Sequence, residues 1–158
     1  MNLILLGMPG AGKGTQAEII QREQGIANVS TGAMMREVSR AESELGRKVQ
    51  EYLSSGRLVP DNIIIEMLVE RISKNDCENG FLLDGFPRNL DQAKALEEAE
   101  VEINLILFLK ISEKEIIERM SGRRVHLPSG RSYHVVYNPP KVEGKDDLTG
   151  EILIQKRR

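Results

Sequence analysis

Nine residues near the start of the chain, Gly7-Met8-Pro9-Gly10-Ala11-Gly12-Lys13-Gly14-Thr15, hold four glycines, a lysine and a hydroxyl. They lie directly behind the apolar run Leu3-Ile4-Leu5-Leu6. Glycine loses more freedom on folding than any other residue, so this stretch is costly unless bare backbone is needed. A phosphate group needs it. Without Cβ atoms, successive N–H groups turn inward around an anion, and a following helix adds its unpaired N–H groups and its dipole. Lys13 adds a mobile positive charge for the β- and γ-phosphates. The spacing Gly7-x4-Gly12-Lys13 fits the general phosphate-loop pattern, with Gly14 where Ser or Thr is usual and the hydroxyl one later, at Thr15. Gly10, Ala11, Gly12, Lys13, Gly14 and Thr15 are therefore candidate triphosphate-binding residues. The plain alternative is a glycine turn between strand and helix, and it leaves the lysine unexplained.

The loop works only between a strand and a helix, and the flanks read that way. Residues 2–6 read as a buried strand, and 13–24 as a helix that Gly25 stops. A short strand near 27–29 precedes two helices, about 32–40 and 43–54, the second stopped by Gly56. Asp61 reads as the N-cap of a helix running to about Asn75. Phe81-Leu82-Leu83 is a strand ending at Asp84, and a helix over about 90–99 leads to a strand at 103–109. Residues 113–121 read as a further helix. Apolar strands alternating with helices predict an α/β fold with a parallel sheet flanked by helices. After Gly122 short β-rich pieces are split by Pro and Gly, which predicts a small antiparallel insertion or lid.

A chain of 158 residues can hold one domain with a real core and a small insertion. Its net charge of −2 argues against a nucleic-acid polymer as partner. The charge is uneven: residues 1–118 carry 13 Lys and Arg against 20 Asp and Glu, and residues 119–158 carry 9 against 4. The basic end reads either as a solvated face or as a flap closing over an anionic small molecule. Cys77 is the only cysteine, so the chain has neither an internal disulfide nor a cysteine zinc site. No apolar run has the length of a membrane span, and the first residues do not read as a signal peptide. These features together predict a protein of the cytoplasm.

Four separated motifs, in order, carry a resemblance: "GMPGAGKGTQA", "STG", "GFLLDGFPR" and "GRRVHLPSGRSYHVVYNPPKVEGKDDLTGE". Over residues 1 to about 155 the chain resembles adenylate kinase of the bacterial long-lid type. The resemblance implies a P-loop nucleoside monophosphate kinase fold with a core (1–29 and 60–121), a helical AMP-binding arm (30–59) and a β-rich lid (122–158). It implies the reaction MgATP + AMP ⇌ 2 ADP, with ATP, AMP and ADP as partners, in adenine nucleotide homeostasis. Thr31 would contact the adenine of AMP and Arg36 its phosphate. Gly56-Arg57-Leu58-Val59 would form the adenine-binding turn, with Leu58 and Val59 as apolar walls. Ser132-Tyr133 occupies the lid position that contacts ATP in the family.

Asp84-Gly85-Phe86-Pro87-Arg88 follows a strand, where open α/β sheets place their ligands. Asp84 suits Mg²⁺ held through water. Arg88 can fork onto the transferring phosphate, and Gln92, one helical turn on, can read the adenine edge of AMP. Arg119 and Arg123, four apart, suit adenine stacking and phosphate binding for ATP. The plainer readings are helix caps for Ser30-Thr31-Gly32 and Asp84, and a solvated pair for the two arginines. Phosphoryl transfer depends on positioning and on neutralising charge, so Lys13, Arg88, Arg123 and Asp84 are the expected catalytic set, with no general base. A nucleotide-binding fragment without useful turnover and a kinase for a pyrimidine monophosphate remain as other readings.

The chain departs from the family at three places. Ala33 stands where a carboxylate is common, which removes both a dipole partner and a capping box with Ser30. His126, Ser129, Asp146 and Thr149 stand where zinc-bearing relatives carry four cysteines, so a hydrogen-bonded polar cluster without zinc is expected. The family's lid also continues in a pattern like Leu-Ile-Gln-Arg-Glu-Asp-Asp, whereas this sequence reads Leu153-Ile154-Gln155-Lys156-Arg157-Arg158. One extra A in conjectured codons CAA AGA GAA GAT GAT yields CAA AAG AGA AGA TGA, or Gln-Lys-Arg-Arg-stop. The expectation is a frameshifted chain lacking the closing strand and helices, with a deletion or a genuine C-terminus as rivals. Relatives are monomers; a bare strand edge here would favour self-association, and loss of the family's later phosphate-neutralising arginines would weaken activity.

Overall fold

A computed structural model describes residues 1–155, so the reading of Lys156-Arg157-Arg158 lies outside the described residues. The chain divides into two compact units, Met1–Gly7 with Gly12–Leu109, and Met8–Ala11 with the chain from Lys110 onward.

The first unit is built on β1 (Leu3–Gly7), β2 (Ala27–Ser30), β3 (Phe81–Asp84) and β4 (Leu105–Leu109). All pairings are parallel, in the order β2-β3-β1-β4. The helices are α1 (Lys13–Gln24), α2 (Thr31–Arg40), α3 (Glu44–Ser54), α4 (Asp61–Ile72) and α5 (Leu90–Glu98). Leu3, Leu5 and Leu82 bury one sheet face with Ala17 of α1. Ile4, Val29 and Leu83 bury the other with Met34 of α2, Leu68 of α4 and Leu96 of α5. Leu82 and Leu83 are wholly buried, each contributing about 1.5–3 kcal/mol of transfer free energy. That two-sided cover is why the central strands read as unbroken apolar runs.

Helix ends follow local chemistry. Gly25 closes α1 in the left-handed conformation, its N–H donating to Gln21 O at 2.9 Å. Several boundaries differ from the sequence expectation, most by one residue. Asp61 is the first helical residue of α4, and Pro60 takes the cap position with extended ψ. The helix stops at Ile72, and a short 3-10 turn, Asn75–Cys77, follows. β4 starts at Leu105 because Asn104 is tied sideways, its Oδ1 accepting the Asn2 N–H at 2.7 Å.

The second unit holds α6 (Glu113–Gly122) and the antiparallel pair β5 (Arg123–Val125) and β6 (Ser132–His134). A reciprocal capping box between Ser112 and Glu115 starts α6. An isolated antiparallel bridge of Val125 with Ile154 returns the chain onto the hairpin, and another of Lys145 with Ile152 closes the turn before it. The small antiparallel piece expected after Gly122 is present.

Candidate active site

In the first unit, Gly12 takes the left-handed N-cap of α1 at φ 94°. The first turn of α1 has no acidic residue and starts with Lys13, so its free N–H groups and dipole favour an anion. Lys13 Nζ donates to Gly7 O at 2.8 Å, folding the side chain back over the loop. Asp84 sits at the carboxyl end of β3, and a Cβ on Gly14 would lie 4.0 Å from its Oδ2. One hard oxygen donor beside a phosphate-type loop suits Mg²⁺, which takes one or two carboxylates and fills its shell with phosphate and water. Among the described residues no group of three or more His, Cys, Asp or Glu could hold a metal ion, so there is no all-protein cage.

Register brings the next residues together. Ser30 pairs with Asp84, so Thr31 at the start of α2 faces Gly85 after β3. Thr31, 3% exposed, donates through Oγ1 to Gly85 O at 3.2 Å and accepts from Arg88 Nη2 at 3.1 Å. Arg88 Nε donates to the same carbonyl at 2.7 Å. Gly85 has φ 83°, and a Cβ there would lie 3.0 Å from Thr31 Oγ1 and 3.3 Å from Arg88 Nη2, so a side chain does not fit. Gln92 Oε1 accepts the Arg88 backbone N–H at 2.7 Å, and its Nε2 donates to Asp61 Oδ1 at 2.6 Å. Each end of the amide keeps one further hydrogen-bonding position. Burial, and then the neighbouring charge of Arg40, hold the Arg36 guanidinium below its usual pKa. A partly buried arginine whose main charged neighbour is another arginine favours an anion.

The remaining predicted residues of this unit make other contacts. Arg57 lies 5.0 Å over the Tyr52 ring and pairs with Glu51 at 2.8 Å. Leu58 is 92% exposed, while Val59 is buried in the core. The two cannot act as matching apolar walls: alternation sends one side chain out and the other in. Phe86 is 1% exposed and packs in the same core, and Pro87 follows it through a cis bond.

In the second unit, Gly10 at φ 88° packs against α6, where a Cβ would lie 2.9 Å from Met120 Cγ. Arg119 Nη1 donates to Ala11 O at 3.3 Å, and Arg123 Nε donates to Ser132 Oγ at 3.0 Å. Tyr133 turns inward: its hydroxyl donates to Asp146 Oδ1 and accepts the Asp147 N–H, both at 2.9 Å. His126, Ser129, Asp146 and Thr149 meet in a hydrogen-bonded cluster, as expected. His126 Nδ1 lies 2.7 Å from Ser129 Oγ, and its Nε2 faces Glu151. Arg131 grips Asp146 with two bonds, Nε to Oδ1 at 2.8 Å and Nη2 to Oδ2 at 2.6 Å. That guanidinium, with the N–H of Thr149 and the hydroxyls of Tyr133 and Thr149, holds the Asp146 carboxyl far below the usual carboxylate range. Sequence reasoning missed Arg131 and Glu151 here, and Asp61 beside Gln92. The alternation Arg131-x-Tyr133 leading into β6 was the available signal.

A parallel sheet whose first strand feeds a glycine loop into a lysine-headed helix, with a carboxylate and an arginine after the third strand, defines a P-loop nucleoside monophosphate kinase. The family model for adenylate kinase matches residues 5–156, and the chain belongs to the adenylate kinase family. It is a nucleotide-binding phosphotransferase. Among the described residues no helix is long and apolar enough to cross a membrane.

Proposed function

We propose that this chain transfers a phosphoryl group between adenine nucleotides, MgATP + AMP ⇌ 2 ADP, in the cytoplasm. The observation that supports it most is the Thr31–Gly85–Arg88–Gln92 array at the sheet's carboxyl edge, held by bonds of 2.7–3.2 Å. Thr31 and Gln92 present side-chain donors and acceptors to a base edge, and Arg88 presents a fork to phosphate. Gly85, Phe86 and Pro87 supply backbone for AMP, and Arg36 takes its phosphate. Arg57, Leu58 and Val59 offer the base a turn whose backbone, with Leu58 alone, faces it.

On the donor side, Gly10, Ala11, Gly12, Lys13, Gly14 and Thr15 cradle the triphosphate. Arg119 and Arg123 serve adenine and phosphate, and Ser132 with the backbone of Tyr133 serves the lid. An oxygen of the AMP phosphate bonds to the γ-phosphorus as the bond to the β,γ-bridging oxygen breaks, leaving two ADP. Lys13, Arg88 and Arg123 neutralise the oxygens of the transferring group. Asp84 holds the waters of Mg²⁺, which when bound offsets charge on the triphosphate. We assign residues 30–59 as the AMP arm and the segment from 122 as the lid; zinc has no role in this reading.

The test is ADP formation from ATP with AMP, CMP or UMP as acceptor, with Mg²⁺, normalised to folded protein. AMP should be preferred. Preference for CMP or UMP overturns the acceptor assignment, and nucleotide binding without turnover overturns the enzymatic reading.

A further inference from the structure

Gln92 is 4% exposed, and its side-chain amide is gripped at both ends. Its Oε1 accepts the Arg88 backbone N–H at 2.7 Å, and its Nε2 donates to Asp61 Oδ1 at 2.6 Å. These two neighbours allow one orientation. A backbone N–H can only donate, and a carboxylate can only accept. Turning the amide over would set N–H against N–H at Arg88 and oxygen against oxygen at Asp61. The carboxylate is the stronger lock, because a hydrogen bond to a charged group is roughly twice as strong as a neutral one. Asp61 is itself held: it opens α4, and its Oδ2 accepts from Asn89 Nδ2 at 3.3 Å. Asn89 caps α5, its Oδ1 accepting the Gln92 backbone N–H at 2.7 Å. Asp61, Asn89 and Gln92 thus close a ring of hydrogen bonds between the starts of α4 and α5.

We infer that Asp61 is a positioning residue that sets which purine the acceptor site reads: by fixing the order of oxygen and nitrogen at Gln92, it favours AMP over IMP and GMP. This rests on the reading of Gln92 as the residue that meets the base of the acceptor nucleotide. The amide keeps one lone pair and one N–H for that base. Adenine offers a donor at its exocyclic amino group and an acceptor at N1. Hypoxanthine and guanine offer the reverse, an acceptor at O6 and a donor at N1. An amide able to turn over would satisfy either edge. With its order fixed, adenine meets two complements, and a base with O6 meets acceptor on acceptor and donor on donor. Thr31 cannot draw this distinction, because a hydroxyl rotates to donate or to accept.

Calorimetric titration of the full chain with AMP and with IMP, without a donor nucleotide, tests this and needs no turnover. The wild type should bind AMP at least about 10²-fold more tightly than IMP. Asp61→Asn keeps the shape but offers an N–H as well as an oxygen, so both amide orientations become available. AMP should then bind more weakly and IMP more tightly, and the ratio of the two affinities should fall by about tenfold or more. Asp61→Ala, which removes the acceptor outright, should also lower the ratio and decides the matter if Asp61→Asn does not fold. A merely structural Asp61 would lower the melting temperature or weaken both nucleotides alike with the ratio unchanged, and that result overturns the inference. So does a wild type that binds IMP as tightly as AMP. Gln92→Ala separates the inference from the reading beneath it, and should abolish the ratio. If Gln92→Ala keeps the full ratio, the reading of the site fails and the inference with it. If Gln92→Ala loses the ratio while both Asp61 variants keep it, the site reading stands and the role of Asp61 alone is overturned.

Discussion

Lys13 spends its charge on a backbone carbonyl, Gly7 O at 2.8 Å, and Arg88 spends its fork on Gly85 O and Thr31. Both hold local geometry, and the proposed reaction asks both to meet phosphate as well. Lys13→Ala and Arg88→Ala should each lower turnover by roughly 10²-fold or more, since in the proposed reaction each supplies a charge to the transferring group. Circular dichroism should show the fold intact; activity and folded signal falling together would make the two residues structural. Asp146 gives a pH prediction. Its carboxyl pKa is depressed in the folded chain, chiefly by Arg131, so its stabilisation is present above the unfolded pKa, about 3.9, and is lost as pH falls below it. Thr149 N–H donates to Asp146 Oδ2 at 2.9 Å, so its protection factor should hold at neutral pH and decline progressively as pH falls from about 4 towards the much lower folded pKa. Asp146→Asn should lower that protection already at pH 7 and flatten the profile; identical profiles would remove the carboxylate from the account.

At the scale of elements, helix propensity and packing disagree at Gly46 in the first turn of α3. Propensity alone predicts that Gly→Ala gains up to about 1 kcal/mol. The packing predicts the reverse: a Cβ at Gly46 would lie 2.3 Å from Ala41 O and 2.7 Å from Val38 O. Backbone oxygens cannot rotate away, so Gly46→Ala should push α2 and α3 apart and destabilise by roughly 2–4 kcal/mol. Urea unfolding measures it, and a neutral or stabilising change would show that the two helices have room to give. The sequence displayed α1 and its Gly25 stop plainly, because strand, cap and helix signals fall within a few residues of one another. It did not display the end of α4, where Ile72 is followed by a tight 3-10 turn that keeps a helix-like pattern.

At the scale of the molecule, the proposed reaction needs two segments to close over nucleotides and exclude water. An inhibitor of two adenosines joined by phosphates should slow amide exchange most in residues 30–59 and in the segment from 122. The central strands, already buried, should change least. Uniform protection, or protection of the sheet alone, would contradict the two-segment mechanism.

The phosphate loop, the alternation of strand and helix and the family resemblance are local in the chain and were legible from it. Each depends on neighbours a few residues apart, where glycine conformation, helix dipole and hydrophobic period act. Thr31 meeting Gly85 and Arg88 depends instead on β2 and β3 pairing in one register, across more than fifty positions of sequence. The burial of Val59 beside an exposed Leu58, the turning of Tyr133 to Asp146 and the two-bond grip of Arg131 were decided in the same way. A side chain's type states which bonds it can make. Only the tertiary structure sets which partner lies within 3 Å, because partner choice is settled by competition among distant groups once water has been excluded.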